Sequence, residues 1–208
     1  MTPLPHPDPR TPFFNSIADA WDGWHDLPAL EAKLAELFER FGVQPDEHVV
    51  DVGCGTGNLT LALLARLGSR GRVTALDISP SMLARAALKT TDTRVSWHEA
   101  SADRLPLPDA TCDRILCFSA WPHFDRPDNV VVEFNRALRP GGFAHILHLI
   151  AKEKVNRIHG AAHPSVHADR LPPVGEVAAL FSANGFRVIE TEDNASRYLL
   201  SARKEPAT

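Results

Sequence analysis

His48-Val49-Val50-Asp51-Val52-Gly53-Cys54-Gly55-Thr56-Gly57-Asn58 is the stretch on which the reading of this chain turns. A short apolar run meets three glycines at alternate positions, and helical periodicity begins at Asn58 and lasts to Leu67. The order is therefore buried strand, tight turn, helix. Glycine lacks a Cβ, so a turn of this composition lets a ligand approach the backbone closely. The following helix directs its unpaired N–H groups into the same space, where a carboxylate or phosphate is favoured.

The same alternation extends in both directions. Phe13 to Ala20 and Pro28 to Phe41 read as helices, the second with Leu30, Leu34, Leu37, Phe38 and Phe41 on one stripe. Strands are expected at Val73 to Asp77, Arg94 to His98, Cys112 to Phe118 and Phe143 to Leu149. Ser79 is placed to cap a helix that opens at Pro80, and further helices cover Pro127 to Leu138 and Val174 to Asn184. Pro140-Gly141-Gly142 separates a helix from the strand after it. Phe186 to Glu190 and Arg197 to Ala202, joined through Glu192-Asp193-Asn194, read as a closing hairpin.

Alternation of this kind predicts an α/β fold, a doubly wound, mostly parallel, seven-stranded Rossmann-like sheet with an antiparallel edge hairpin. The proline-rich residues 1–12 read as a disordered arm and 13–208 as a single domain. Within that domain, 13–42 are N-terminal lid helices and 150–173, irregular around Pro164 and Pro172-Pro173, a substrate-side lid.

Composition narrows the function classes. A formal net charge of -4 argues against a nucleic-acid binder, since phosphate neutralisation needs a basic surface. No apolar run approaches a membrane span, and the first residues lack the order of a secretory signal. Three cysteines without metal-type spacing read as reduced thiols. The expectation is a cytoplasmic monomer or homodimer that acts on a small molecule.

Two nucleoside cofactors compete for the glycine turn. A nicotinamide site, and with it an oxidoreductase, fits the glycines and an acid ending the next strand, Asp77, which can accept from both ribose hydroxyls. The spacing here, however, is G-x-G-x-G, and Asp51 precedes it inside the strand. An acid there is unfavourable beside a pyrophosphate but acceptable beside the amino group of a sulfonium amino acid. Both details favour S-adenosylmethionine.

The motif Asp51-Val52-Gly53-Cys54-Gly55-Thr56-Gly57 resembles the first motif of the class I S-adenosylmethionine-dependent methyltransferases, and Ala75 through Leu83 is similar to their second. The segment Ala100 to Leu107 resembles their adenine-contacting loop, and Leu138-Arg139-Pro140-Gly141-Gly142 the turn before their fifth strand. Phe14 through Trp21-Asp22 looks like the lid helix of the ubiquinone/menaquinone C-methyltransferase type.

The resemblance implies roles position by position. Gly53, Gly55 and Gly57 admit the methionine moiety, and Asp51 holds the turn or the cofactor's ammonium. Asp77 binds the ribose or else caps the next helix; Ile78 and Met82 lie toward the adenine, Met82 being equally a core residue. Ser101 stands where the family commonly has an acid. Ala102 contributes its N–H, Asp103 is the substitute acid, and Ser119 completes the cofactor contacts.

Transfer from a sulfonium needs alignment and, for some acceptors, proton removal. Ten histidines supply candidates, most of them after residue 97. His123, His148 and His159 are the candidate catalytic groups, because imidazole titrates near neutrality. A divalent metal on His148, His159 and His163 is the alternative use of the same cluster, although Gly160 and Pro164 weaken a shared helical face. Pro122-His123-Phe124, His148, Asn156 with His159, and Ala168-Asp169-Arg170-Leu171-Pro172 together resemble a subgroup of small class I methyltransferases. That pattern places N-x-x-H on a helix after strand five and D-x-L-P beyond it. The remaining alternative is a non-catalytic module that binds S-adenosylmethionine.

Overall fold

The computed structural model describes residues 8–206, so most of the expected N-terminal arm, residues 1–7, lies outside the described residues. The chain divides into two compact units after Ser101. In the first, helix α1 spans Thr11–Ile17, a 3-10 turn covers Trp21–Trp24, and α2 spans Leu27–Arg40. Strand β1 (His48–Val52), α3 (Asn58–Arg66), β2 (Arg72–Asp77), α4 (Pro80–Ala87) and β3 (Val95–Glu99) follow.

Residues 8–12, read from composition as part of the arm, are among the described residues. α1 begins at Thr11 with Pro12 in its first turn, where the missing N–H breaks no hydrogen bond. Its own Arg10 N–H is taken up by the Asp8 carboxylate at 2.8 Å. In α2 the Asp26 side chain accepts from Ala29 N at 3.1 Å as N-cap. Leu34, Leu37 and Phe38 are buried, whereas Leu30 and Phe41, at the edges of the stripe, are half-buried.

β1 is buried along its whole length, as a strand covered on both faces must be. It pairs in parallel with β2, Val50 opposite Thr74, and β2 pairs in parallel with β3, Ala75 opposite Trp97.

The second unit contains β4 (Cys112–Phe118), α5 (Pro127–Ala137), β5 (Leu138–His148) and α6 (Lys152–Gly160). It ends with α7 (Val174–Ala183), β6 (Phe186–Asp193) and β7 (Tyr198–Lys204). β4 and β5 are parallel, and β7 runs antiparallel to both β5 and β6. The strand order of the seven-stranded sheet is β3-β2-β1-β4-β5-β7-β6. The expected doubly wound sheet with an antiparallel edge is the observed one. Trp121, Phe134 and Phe186 surround Phe181 at ring distances of 5.9, 6.5 and 5.1 Å and form the aromatic core under α7.

Two departures from the sequence reading have clear causes. Pro140-Gly141-Gly142 does not separate α5 from β5. Leu138 already pairs with Cys112, and the register then jumps to Arg114 opposite Phe143. The intervening residues are a bulge inside the strand, with Gly141 at φ 81°. The stretch 150–173, read as irregular, contains α6. Only Val155 of that helix is buried and Lys152, Glu153, Lys154 and Arg157 are charged, so its apolar periodicity was too faint to register. Among the described residues no helix is long and apolar enough to cross a membrane.

Candidate active site

Where β1 ends, the chain turns through Gly53, Gly55 and Gly57 at φ 70°, 53° and 82°, a region side chains with a Cβ rarely enter. Gly53 N and Cys54 N both donate to Leu76 O at 2.9 Å, which ties the turn to β2. Gly57 is the N-cap of α3 and is more tightly enclosed than Gly55. A Cβ there would stand 3.0 Å from Ala86 Cβ and 3.1 Å from the Trp97 ring. Gly57→Ala is therefore expected to cost about 2–4 kcal/mol, from the left-handed backbone and the overpacking together. Chemical denaturation measures this, and a loss below about 1 kcal/mol would show that α4 moves aside freely.

Asp77 ends β2 and its carboxylate spans two backbone segments. Oδ2 accepts from Gly55 N at 2.8 Å and Oδ1 from Ser79 N at 2.9 Å. Ser79 caps α4, accepting from Met82 N at 3.1 Å, and donates its hydroxyl proton to Asn15 Oδ1 at 2.7 Å. Asn15 Oδ1 also accepts from Ser81 N at 3.3 Å, so α1 is tied to the start of α4. Asp22 accepts from Thr56 Oγ1 at 2.6 Å and Asn58 Nδ2 at 3.0 Å, and pairs with Lys89 at 2.5 Å. Burial pushes the Asp22 carboxyl up, but the hydrogen bonds from Lys89, Thr56 and Asn58 outweigh it and hold it below the usual range.

The N-terminal segment is thus fastened to both sides of the glycine turn. Trp21 Nε1 lies 4.0 Å from where a Cβ on Gly55 would be. Of the aromatic side chains expected in the lid, Trp24 is 60% exposed and contacts chiefly Trp21, at 5.6 Å between rings.

Asp51 is buried in β1. Its Oδ2 accepts from Thr60 Oγ1 at 2.6 Å, while Oδ1 has no hydrogen-bond partner among the described residues. Burial pushes the carboxyl up to about 7; the Thr60 bond opposes the shift and the neighbouring Asp77 charge adds to it. A folded-state value above the unfolded one means the native state holds the proton more tightly. Stability of the ligand-free chain therefore falls as pH rises from about 4 to about 7 on this group's account. Asp51→Asn keeps the Thr60 bond and removes the ionisation. The variant is expected to melt higher than the parent at pH 8 and close to it at pH 4.5; an equal difference at both values would remove Asp51 as the source.

Ile78 and Ser101 are half-buried at the carboxyl ends of β2 and β3, and Met82 is a buried residue of α4. In the second unit Ala102 is buried, and the Asp103 carboxylate is paired with Arg126, so the acid expected to substitute at the adenine loop is partly committed. Ser119 follows β4 at φ 58° and donates its N–H to Leu147 O at 2.9 Å. A non-glycine residue in that conformation marks a constrained position at the end of a parallel strand.

Beyond Ser119 three of the predicted histidines come together. His123 closes the short 3-10 turn Trp121–His123, anchored by buried Trp121. Its Nδ1 lies 2.6 Å from Asp169 Oδ2. His159, on α6, packs against it with the rings tilted by 41° and 4.8 Å between centroids, and its Nδ1 lies 3.2 Å from the carbonyl oxygen of the same Asp169. Burial, reinforced by His123, pushes the His159 imidazole down.

His148, the last residue of β5, is fully buried with Nε2 lacking a hydrogen bond among the described residues. Burial first, then the nearby His123 and His159, push it down to about 3. Directly across the sheet pairs Tyr198, whose buried hydroxyl is likewise without a partner among the described residues. The two rings meet edge to face at 5.9 Å.

His163, named with His148 and His159 as a metal candidate, is not part of the group. It lies past the end of α6, exposed, with Nδ1 2.8 Å from Ser165 Oγ, because Gly160 stops the helix before it. Among the described residues no three His, Cys, Asp or Glu side chains gather as a metal-holding group. His145 is elsewhere again, wedged between Arg114 at 2.6 Å and Ser201 at 2.9 Å and kept neutral by burial and the arginine.

Sequence reasoning quoted Asp169 within a motif but gave it no role, and passed over Tyr198 entirely. The available signal for Tyr198 is that it is the chain's one tyrosine, at the head of the last strand. Asn15 carried no signal, since its partners are 64 and 66 residues away.

A doubly wound sheet whose first strand runs into a glycine turn and whose second ends in a carboxylate bound to that turn defines a nucleoside-cofactor-binding α/β enzyme. Residues 49–142 match the family model described as a methyltransferase domain. Over 173 residues the chain is 30% identical to the ubiquinone/menaquinone biosynthesis C-methyltransferase of Teredinibacter turnerae, covering 79% of this chain and 68% of that enzyme. It thus spans about two thirds of that relative's length.

Two solved structures share the fold. One is a Haloferax volcanii methyltransferase in complex with the Trm112 activator, with TM-score 0.76, 22% identity, and 93% and 98% of the two chains covered. The other is an S-adenosylmethionine-dependent methyltransferase of Aquifex aeolicus, with TM-score 0.74, 22% identity, and 91% and 97% covered. The chain belongs to the class I S-adenosylmethionine-dependent methyltransferases. The residues present fit that cofactor. Asp51 offers a buried carboxylate oxygen with no hydrogen-bond partner among the described residues to an ammonium, and Gly53, Gly55 and Gly57 present backbone alone to a ligand.

Proposed function

We propose that the chain moves a methyl group from S-adenosylmethionine to a small-molecule acceptor, and that His123 takes the acceptor's proton. In this reading Gly53, Gly55 and Gly57 admit the methionine moiety, Asp51 receives its ammonium and Asp77 the ribose hydroxyls. Ile78, Met82, Ser101, Ala102, Asp103 and Ser119 serve the nucleoside. S-adenosylmethionine supplies the electrophilic methyl; these residues only bind and orient it.

The observation that carries the reading is the 2.6 Å contact between His123 and the buried Asp169 carboxylate, just beyond the constrained Ser119. An imidazole held by a carboxylate is a positioned base. His148 does not suit that role, because an imidazole that protonates only near pH 3 takes up little charge at working pH. It serves as a neutral hydrogen-bonding wall, together with the Tyr198 hydroxyl. His159 supports His123. The curated relative's name specifies a carbon acceptor; the imidazole pair here supports any acceptor that must lose a proton.

Calorimetry with S-adenosylmethionine and S-adenosylhomocysteine, followed by a labelled-methyl screen against oxygen, sulfur, nitrogen and carbon acceptors, tests the proposal. Binding of both nucleosides with transfer to at least one acceptor is expected. Binding with transfer to none would favour a non-catalytic module, and a thermal shift with NAD or NADP but not with S-adenosylmethionine would favour the oxidoreductase.

A further inference from the structure

Asp169 holds two imidazoles at once, through different atoms. Its side-chain Oδ2 meets His123 Nδ1 and its main-chain oxygen meets His159 Nδ1. Neither oxygen can donate, so both Nδ1 atoms must carry the hydrogen. In neutral imidazoles the other nitrogen, Nε2, is then unprotonated on each ring. The two rings lie 4.8 Å apart between centroids, tilted by 41°. Asp169 is itself placed firmly: it is 6% exposed, its N–H donates to Val166 O at 3.0 Å, and Asn156 holds Leu171 two residues on.

We propose that Asp169 is the positioning residue that sets the tautomer of His123, and that the pocket it organises selects a protic acceptor: a hydroxyl, thiol or N–H group. This rests on the methyl-transfer reading above. In the step, the acceptor's lone pair forms the new bond to the methyl carbon and the methyl–sulfur bond breaks. Its electron pair stays on sulfur as neutral S-adenosylhomocysteine, and the acceptor's proton passes to His123 Nε2. The resulting imidazolium faces the Asp169 carboxylate, whereas His159 faces only a carbonyl dipole, so the charge is best placed on His123.

The test uses the full chain with ring-nitrogen-labelled histidine, read by two-bond proton–nitrogen correlation. Asp169→Ala removes the acceptor of His123 but leaves the main-chain oxygen for His159. The expected result is that His123 leaves the Nδ1–H form while His159 keeps it, with affinity for S-adenosylhomocysteine within about twofold of the parent. His159 is thus the internal control against local collapse. An unchanged His123 tautomer would overturn the proposal.

Should Asp169→Ala fail to fold, Asp169→Asn is the second variant: whether its amide presents oxygen or NH2 to Nδ1, it carries no charge to face the imidazolium, and turnover is expected to fall at least about a hundredfold. Full turnover in that variant would also overturn it. The acceptor arm compares a phenol, an alkyl thiol and a secondary amine with their methylated, proton-free counterparts. Transfer to the proton-free members in preference sinks the claim of protic selection. Failure of the parent chain to bind S-adenosylmethionine at all would instead sink the methyltransferase reading and leave the tautomer result standing.

Discussion

Asp77→Ala is expected to weaken S-adenosylmethionine binding by about a hundredfold to a thousandfold while the chain stays folded. In the proposed complex the carboxylate accepts from ribose hydroxyls, and each charge-assisted hydrogen bond contributes about 1.5–3 kcal/mol. Two such bonds correspond to roughly 3–6 kcal/mol, and the lower part of that range, at about 1.4 kcal/mol for each factor of ten, gives the expected loss. The same carboxylate already accepts from Gly55 N and Ser79 N, so its removal also loosens the turn that must receive the methionine moiety. Gly55 and Asp77 are half-buried, whereas Ser79 is buried, so the Ser79 N–H loses its acceptor inside the fold and some stability is lost with it. Calorimetry against S-adenosylmethionine and S-adenosylhomocysteine, with circular dichroism for the fold, measures the effect. Unchanged affinity in a folded variant would place the sugar elsewhere and undo the cofactor assignment.

His123→Ala is expected to do the opposite: affinity for S-adenosylmethionine within about twofold of the parent, and transfer slower by about a hundredfold to ten-thousandfold. That range is what a positioned general base contributes. Asp51 and Asp77 accept hydrogen bonds from Thr60, Gly55 and Ser79, and His123 is not among those donors. Its side chain is 14% exposed and packs beside Asp169 at 5%, so deletion leaves a small polar hollow. Added imidazole is expected to enter that hollow and restore part of the rate, a rescue that a purely structural defect would not show. Wild-type rates in His123→Ala would transfer the role of base to another group, with His159 next in position.

The glycine turn, the seven strands and the acid at the end of β2 were all legible in the sequence. Each depends on local chemistry. Alternate glycines from Gly53 to Gly57 can meet positive φ where other residues cannot, a run such as His48–Val52 hides on both faces only in a parallel sheet, and Ser79 with Pro80 caps a helix wherever it occurs. The histidine density pointed to a site for the same reason, since imidazole has few uses that recur so closely.

Which histidines belong together was decided only by tertiary structure. His123 and Asp169 are 46 residues apart, and no periodicity links a 3-10 turn to the loop after a mostly charged helix. His159 joins them and His163 does not because α6 stops at Gly160, so the four-residue spacing that would put both on one helical face is not realised. Tyr198 faces His148 through the antiparallel register of β5 and β7, where a shift of one residue would have turned it to the other face. Local dihedral preferences write the strands and turns into the chain; the partners of a buried polar atom depend on how distant segments close around it.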